Sequence, residues 1–275
     1  MLKVNTNVIG IGKTGVTAVN RLADGNMPEI RTAVFCVEDE EPALRAEYVL
    51  KSKYDFVEHK DKFFVTSDTA VFILADCTDC LEISLACELA FITARMGGFS
   101  VALAYMPSSV SPRYSDACEA LEELHECFDG VVRFNESYCD DFDTEILRFF
   151  EVLSGSMSTE AISGLGSFGE LKKLFDKQKD IYFASVASKV TYDSHAYRSK
   201  CLELRLCSQT YVDTASCLDF FYISGGPVSK NILDIYTDPI KKINIAFMNT
   251  VNTYISDNNS ELENGDFVFA VMCAE

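Results

Sequence analysis

Three glycines spaced as Gly10-x-Gly12-x-x-Gly15 begin at the end of the apolar stretch Val8–Ile11 and open a helical pattern. That spacing lets a backbone turn tightly and approach a phosphate, with a helix N-terminus supplying partial positive charge. Glu38 and Asp39, ending the next apolar stretch, stand where an acid would hold the ribose of a dinucleotide. The "GKT" at 12–14 fits a Walker phosphate loop less well, because the leading glycine would fall at Asn7. Glycine is also the easy residue for any tight strand-to-helix turn. The motif alone therefore leaves a nucleotide, NAD(P) among them, beside a purely structural turn.

Other reactive residues are sparser. Cys77-x-x-Cys80 sits at an expected helix start, where the dipole favours a thiolate and redox chemistry, and Cys87 lies two turns further on. Buried thiols beside a helix cap are the simpler reading. His59, His125 and His195 are far apart and lack ligand spacing, so no metal is expected. His125 falls in an acidic amphipathic helix and is expected at the surface. The acidic "DDFD" at 140–143 would attract a cation or, more simply, begin a helix. The eleven cysteines are scattered through apolar stretches such as those of Cys36, Cys118, Cys201 and Cys273. Without a secretory apolar segment, this pattern reads as reduced core thiols in a cytoplasmic protein.

The elements that must position these residues follow from periodicity. Strands are expected over 4–11, 31–37, 69–75, 100–106 and 130–134, with helices over 16–23, 81–95, 115–128 and 143–155 between or after them. The stretch 53–67 reads as a hairpin or an irregular excursion. Strand alternating with helix means a doubly wound parallel sheet. From about residue 180 the pattern changes to strands at 181–188, 217–223, 250–256 and 266–274, with helices over 196–208 and 229–236. The organisation expected is a domain over 1–153, a central helix and loop over 154–180, and a smaller mixed α/β domain over 181–275.

The chain has 275 residues, 48% of them apolar and 24% charged, which suits a globular protein with a sizeable core. Its net charge of −18 opposes nucleic acid and anionic membrane surfaces as partners. No apolar run approaches the length of a membrane span.

From Val8 to Leu22 the sequence resembles the first glycine loop of the FtsZ/tubulin superfamily, "GxGGGGxNAV", which here reads "GIGKTGVTAV". "VFCVEDEEPAL" (34–44) stands where that family has a strand ending in Asn-Thr-Asp and an Ala-Leu. The stretch from Val71 to Tyr105 matches the length and strand–helix–strand pattern of the segment with the glycine-rich signature. "FDGVVRFNES" resembles the strand that delivers ribose contacts, and the stretch from Cys217 onward follows the second domain to its last strand. The resemblance implies an α/β tubulin/FtsZ-like fold: a Rossmann-like N-terminal sheet, a central helix and a smaller C-terminal domain. It places Asn135 and Glu145 at the ribose and guanine positions; a solvated strand end and a helix surface charge are the competing readings. The family's usual disordered tail, which tethers such filaments, is expected to be missing, since the sequence stops at Glu275 beside the last expected strand.

The departures concern chemistry. The family's Gly-Gly-Gly-Thr-Gly-Thr-Gly wraps phosphates with backbone N–H groups; here the stretch is "DCTDCLEIS", 76–84, without a glycine. Asp79 followed by Glu82 makes a capping box for the next helix. A carboxylate about 5 Å from a phosphate charge costs about 3 kcal/mol at an effective dielectric of about 20. Any one of Asp76, Asp79 and Glu82 so placed would weaken binding about a hundredfold. Between Arg45 and Asp68 the family's γ-phosphate loop is missing. Its catalytic Asn-x-Asp-Phe-Ala-Asp is matched by "LGSFGEL", where Leu165 and Ser167 replace polar groups and only Glu170 keeps a carboxylate.

The expectation is a degenerate FtsZ/tubulin-like scaffold without efficient GTP hydrolysis, with GTP bound weakly or not at all and no other cofactor. Gly10, Gly12, Gly15, Asn135 and Glu145 form a vestigial nucleotide site and Glu170 a vestigial catalytic residue. Its partner would be itself or a relative. The alternatives are an active GTP-binding polymeriser with a remodelled site and an NAD(P)-dependent oxidoreductase built on the Gly10–Gly15 loop.

Overall fold

Unbroken apolar runs become central strands, because a strand covered by helices on both faces has no polar side. The computed structural model describes residues 4–25, 27, 30–35, 46–58, 65–137, 141–157, 164–165, 167–175, 180–189, 194–209, 215–227, 229–243, 250–256 and 266–274. Glu38, Asp39, His59, Cys36, Cys139 and Asp140 lie outside the described residues. The chain divides into two compact units, Val4–Leu147 with Phe168–Lys179, and Met1–Lys3 with Arg148–Ser167 and Asp180–Glu275.

The first unit carries β1 (Asn5–Ile11), α1 (Gly12–Asp24), β2 (Ile30–Phe35), β3 (Tyr48–Leu50), α2 (Lys53–Glu58), β4 (Thr69–Asp76), α3 (Cys80–Arg95), β5 (Phe99–Met106), α4 (Tyr114–Cys127) and β6 (Gly130–Asn135). It also holds the first turns of α5 (Phe142–Met157) and all of α6 (Phe168–Phe175). Its strands run in the order β3-β2-β1-β4-β5-β6, with parallel pairing throughout. Ile9, Ile11, Val71, Ile73, Ala102 and Ala104 meet α3 and α4 on one face. Val8 and Gly10 point the other way, toward α1, as strand alternation requires.

The second unit has β7 (Asp180–Lys189), α7 (Ser194–Gln209), β8 (Cys217–Ser224), α8 (Lys230–Ile243), β9 (Thr250–Ser256) and β10 (Asp266–Ala274). The sheet order is β7-β10-β8-β9; β10 is antiparallel to β7 and β8, and β9 is parallel to β8. Leu202 and Leu206 of α7 and Tyr236 and Ile240 of α8 cover Phe220, Tyr222, Phe267 and Phe269. α8 runs past the expected end at 236 and through Pro239, with buried Tyr236 and Ile240 anchoring both sides of the proline.

Two local expectations change. Residues 53–58 are a helix rather than a hairpin or an irregular excursion, and the cause is Asp55, whose carboxylate turns back to hold the N–H groups at the helix start. Asp55 accepts from the Ser52 N–H at 3.0 Å, the Lys51 N–H at 2.7 Å and the Ser52 hydroxyl at 3.2 Å. The cysteines are not uniformly core thiols. Cys77, Cys217 and Cys273 are buried, but Cys80, Cys127 and Cys207 are exposed, because each of the exposed three falls on the outer face of a helix. Among the described residues, no helix is long and apolar enough to cross a membrane.

Candidate functional site

In the first sheet β1 leads to β2 on one side while β4 lies on the other, so the strand order reverses between β1 and β4. A crevice opens at the carboxyl ends of such strands, the usual ligand position in open α/β sheets. Here it is bounded by the Gly10–Gly15 turn and by residues 76–82.

The three glycines divide by role. A Cβ on Gly10 would meet the Gly15 carbonyl oxygen at 2.2 Å, and one on Gly15 would lie 3.0 Å from the Leu74 carbonyl oxygen. Gly10 and Gly15 therefore let α1 seat directly on β1 and β4. Gly12 has φ +61° and is already the first residue of α1, which starts four residues before the expected Val16. A Cβ there would fall 1.6 Å from Glu82 Oε1. The Glu82 carboxyl group thus rests against the Gly12 backbone.

Facing it, the expected capping box of α3 is half formed. Asp79 accepts from the Leu81 N–H at 2.9 Å and the Glu82 N–H at 3.2 Å. Glu82 does not return to the Asp79 N–H, which donates to the Asp76 carbonyl at 3.1 Å. Instead Glu82 accepts from the Asp76 N–H at 3.1 Å, because its side chain turns inward over Gly12 and is 6% exposed. Asp76 accepts from the Thr78 N–H and hydroxyl, both at 2.8 Å, and from the Thr14 hydroxyl of α1 at 3.3 Å. All three carboxylates are thus engaged by donors of these two loops.

Burial raises the Glu82 carboxyl to about 7; the Asp76 N–H opposes this, and the neighbouring Asp76 and Asp79 carboxylates add to it. Burial likewise holds the Cys77 thiol far above its ordinary value, with Asp76 contributing, so Cys77 is no thiolate. Cys80, its partner in the sequence motif, is exposed at the first position of α3.

The remaining sequence candidates are dispersed. Asn135 ends β6, half-buried, and its side-chain oxygen accepts from the Ser137 N–H at 2.9 Å. Glu145 lies in the first turn of α5 and is buried, not a helix surface charge, because that turn faces inward with Phe142 and Ile146. Asp141 caps α5 through the Thr144 N–H at 3.2 Å and hydroxyl at 2.9 Å, so the acidic run starts a helix. Glu170 is exposed in the first turn of α6, Ser167 is exposed and Leu165 is buried. His125 is half-buried on α4. His195 is buried in the second unit, 2.9 Å from the Tyr236 hydroxyl and tilted against Phe267. Among the described residues no group of three or more His, Cys, Asp or Glu is placed to hold a metal ion. Periodicity reasoning missed the contact of Glu82 with Gly12, and no local signal announces it.

No family model matches the sequence, and no curated protein does. Solved structures do match in fold. An empty FtsZ dimer of M. jannaschii superposes with a TM-score of 0.76 at 12% identity, covering 99% of this chain and 88% of that one. A GTPγS-bound protofilament of CetZ2 from Haloferax volcanii gives 0.73 at 12% identity, over 99% and 94%. GDP-form protofilaments of TubZ from Bacillus thuringiensis serovar israelensis give 0.67 at 11%, over 100% and 86%. Nothing in these likenesses points to a dinucleotide-dependent oxidoreductase. The chain has the FtsZ/tubulin-like fold over nearly its whole length.

Proposed function

We propose that this protein is an FtsZ/tubulin-fold assembly protein whose nucleotide site has degenerated, binding GTP weakly or not at all and hydrolysing it inefficiently. The observation that carries this reading is the Glu82 carboxyl group seated against Gly12. In the site implied by the resemblance, phosphate oxygens take the N–H groups at a glycine-lined turn and a helix start. Here Asp79 takes those of α3, and Glu82 fills the space over the start of α1. The exclusion rests on volume as well as charge. With its carboxyl near 7, Glu82 is partly protonated at neutral pH, yet a neutral carboxyl still occupies the room. Asp76 and Asp79 add charge, each opposing a phosphate about 5 Å away by about 3 kcal/mol. Exposed Ser167 and buried Leu165 in place of polar catalytic groups support inefficient hydrolysis.

The structural neighbours are named as a dimer and as protofilaments. By analogy this chain stacks with a second copy or a relative of the same fold. A ligand with no differential affinity cannot shift an assembly equilibrium, so stacking is independent of GTP. The net charge of −18 makes it strengthen as salt screens repulsion. Asn135 and buried Glu145, which the resemblance assigns to the base side, are polar, which favours, as the second reading, a GTP-binding polymeriser with a rebuilt phosphate site.

Calorimetric titration with GTP and GDP in magnesium tests the choice. The degenerate site gives a Kd weaker than about 100 μM, while sub-micromolar binding overturns it. Sedimentation across a salt series, with and without GTP, gives the same profile for both if assembly is nucleotide-independent.

A further inference from the structure

The sequence motif Cys77-x-x-Cys80 is split by burial, but another thiol pair, remote in sequence, is brought together. Cys87 on α3 lies beside the last turn of α4, which ends at Cys127. Cys87 Sγ also lies 3.9 Å from the Glu123 carbonyl oxygen, one turn before Cys127, which fixes it against the last turn of α4. Both thiols line an open groove of about 830 Å³ bounded by α2, α3 and α4, whose apolar wall includes Tyr54, Val57 and Phe91. Cys127 is exposed and Cys87 half-buried, so an oxidant reaches the first and the second waits behind it.

We propose that Cys87 and Cys127 form an oxidisable dithiol that closes to a disulfide linking α3 to α4, with a small neutral hydroperoxide as oxidant. The choice of oxidant follows from charge. Glu88 in this groove is paired with Lys53 at 2.9 Å, and Glu123 and Glu126 leave it net negative, so it repels an anionic disulfide such as oxidised glutathione, whereas hydrogen peroxide carries no charge. The exposed Cys127 sulfur attacks a peroxide oxygen, and its proton passes to solvent. The O–O bond breaks, an S–O bond forms, and the departing hydroxide takes up a proton as water. Cys87 then attacks the Cys127 sulfur and the S–O bond breaks. The displaced hydroxide leaves as a second water with the Cys87 proton. Two thiols are oxidised to one disulfide and one peroxide is reduced to two waters. Burial first, then the Cys127 contact and the charges of Glu123 and Glu126, push the Cys87 thiol up to about 12. Cys87 therefore stays protonated toward the oxidant, and its proton leaves only as its sulfur bonds to the Cys127 sulfenic acid.

The test is peptide mapping of the whole reduced chain after hydrogen peroxide, under non-reducing conditions. The expected product is an intramolecular Cys87–Cys127 link, reversed by dithiothreitol, with exposed Cys80 and Cys207 still free. In Cys87→Ser the link is lost and Cys127 proceeds to sulfinic acid, because no resolving thiol remains. A link through Cys80, an intermolecular disulfide, or sulfinic acid at Cys127 in the unaltered chain overturns the proposal, as does no reaction at all. Faster closure with oxidised glutathione than with equimolar peroxide overturns the assigned oxidant.

Discussion

The two helix starts that face each other across the crevice are built in opposite ways. α1 begins after Ile11 with no side-chain cap and no acid in its first turn, and Gly12 stands at its first position with φ +61°. α3 begins after Asp79, whose carboxylate takes two N–H groups, and carries Glu82 in its first turn. An uncapped glycine start suits a ligand that brings its own acceptors, whereas a capped start has given donors to its own side chain. Glu82 joins the two, because it grows from the capped helix and lies against the uncapped one. The pair shows how a single turn of sequence, 76–82, closes both sides of the crevice without moving a strand.

The contrast is broken most severely at the glycines of α1. Gly10→Ala would drive a Cβ onto the Gly15 carbonyl at 2.2 Å, a backbone contact that no rotamer relieves. The expected loss is about 3 kcal/mol or more in urea denaturation, because overpacking must separate α1 from its strand. Gly12→Ala meets the end of a side chain instead. It costs about 2 kcal/mol, part for the left-handed backbone and part for displacing Glu82 from the Asp76 N–H. The double variant with Glu82→Ala costs less than the sum of the two single changes. Strict additivity would mean that Glu82 does not lie against Gly12 in solution.

The next effect is electrostatic. Glu82 is raised from 4.5 to about 7, so the folded state binds that proton more tightly than the unfolded chain. Its contribution is whole below pH 4.5 and is lost as pH rises through about 7. Asp143 acts with the same sign between 3.8 and about 6, raised by burial and Asp141 against Arg21. His195 opposes both. Burial, and then Arg198, hold it below 6.5, so its contribution is intact above 6.5 and lost as pH falls. Glu82→Gln should remove about 1–2 kcal/mol of the decline in stability between pH 5 and 8, allowing for screening at this partly open edge. Denaturation midpoints across that range decide it, and an unchanged profile would assign the slope to other groups.

What could be read from the sequence was whatever repeats with a period. The parallel sheet announced itself through runs such as Thr69–Ala75, and the second unit through its strand spacing. Asp79 was legible as a cap because capping acts over three residues. The place of Glu82 was not, since its partner Gly12 lies seventy residues away and only the β1–β4 pairing brings them together. The same limit hid the seating of Cys87 against the last turn of α4 behind the more conspicuous Cys77-x-x-Cys80. The helix at 53–58 was missed for another reason. Its Asp55 cap at Ser52 was present, but the helix is too short to display a period.

The smallest effect separates the two tasks that Asp79 performs, capping α3 and placing charge in the crevice. Asp79→Ala removes the acceptor for the Leu81 and Glu82 N–H groups and should cost about 1 kcal/mol. Asp79→Asn keeps an oxygen for those donors and removes only the charge, so stability should stay within a few tenths of a kcal/mol. If phosphate is excluded mainly by charge, Asp79→Asn should tighten GTP binding in calorimetry while the fold is undisturbed. If it is excluded by the occupied donors and the filled space at Gly12, that variant gains nothing. Only removal of Glu82 together with the Asp79 acceptor would then open the site. The second outcome is expected, because the Glu82 carboxyl fills the space over Gly12 whether or not it carries a charge.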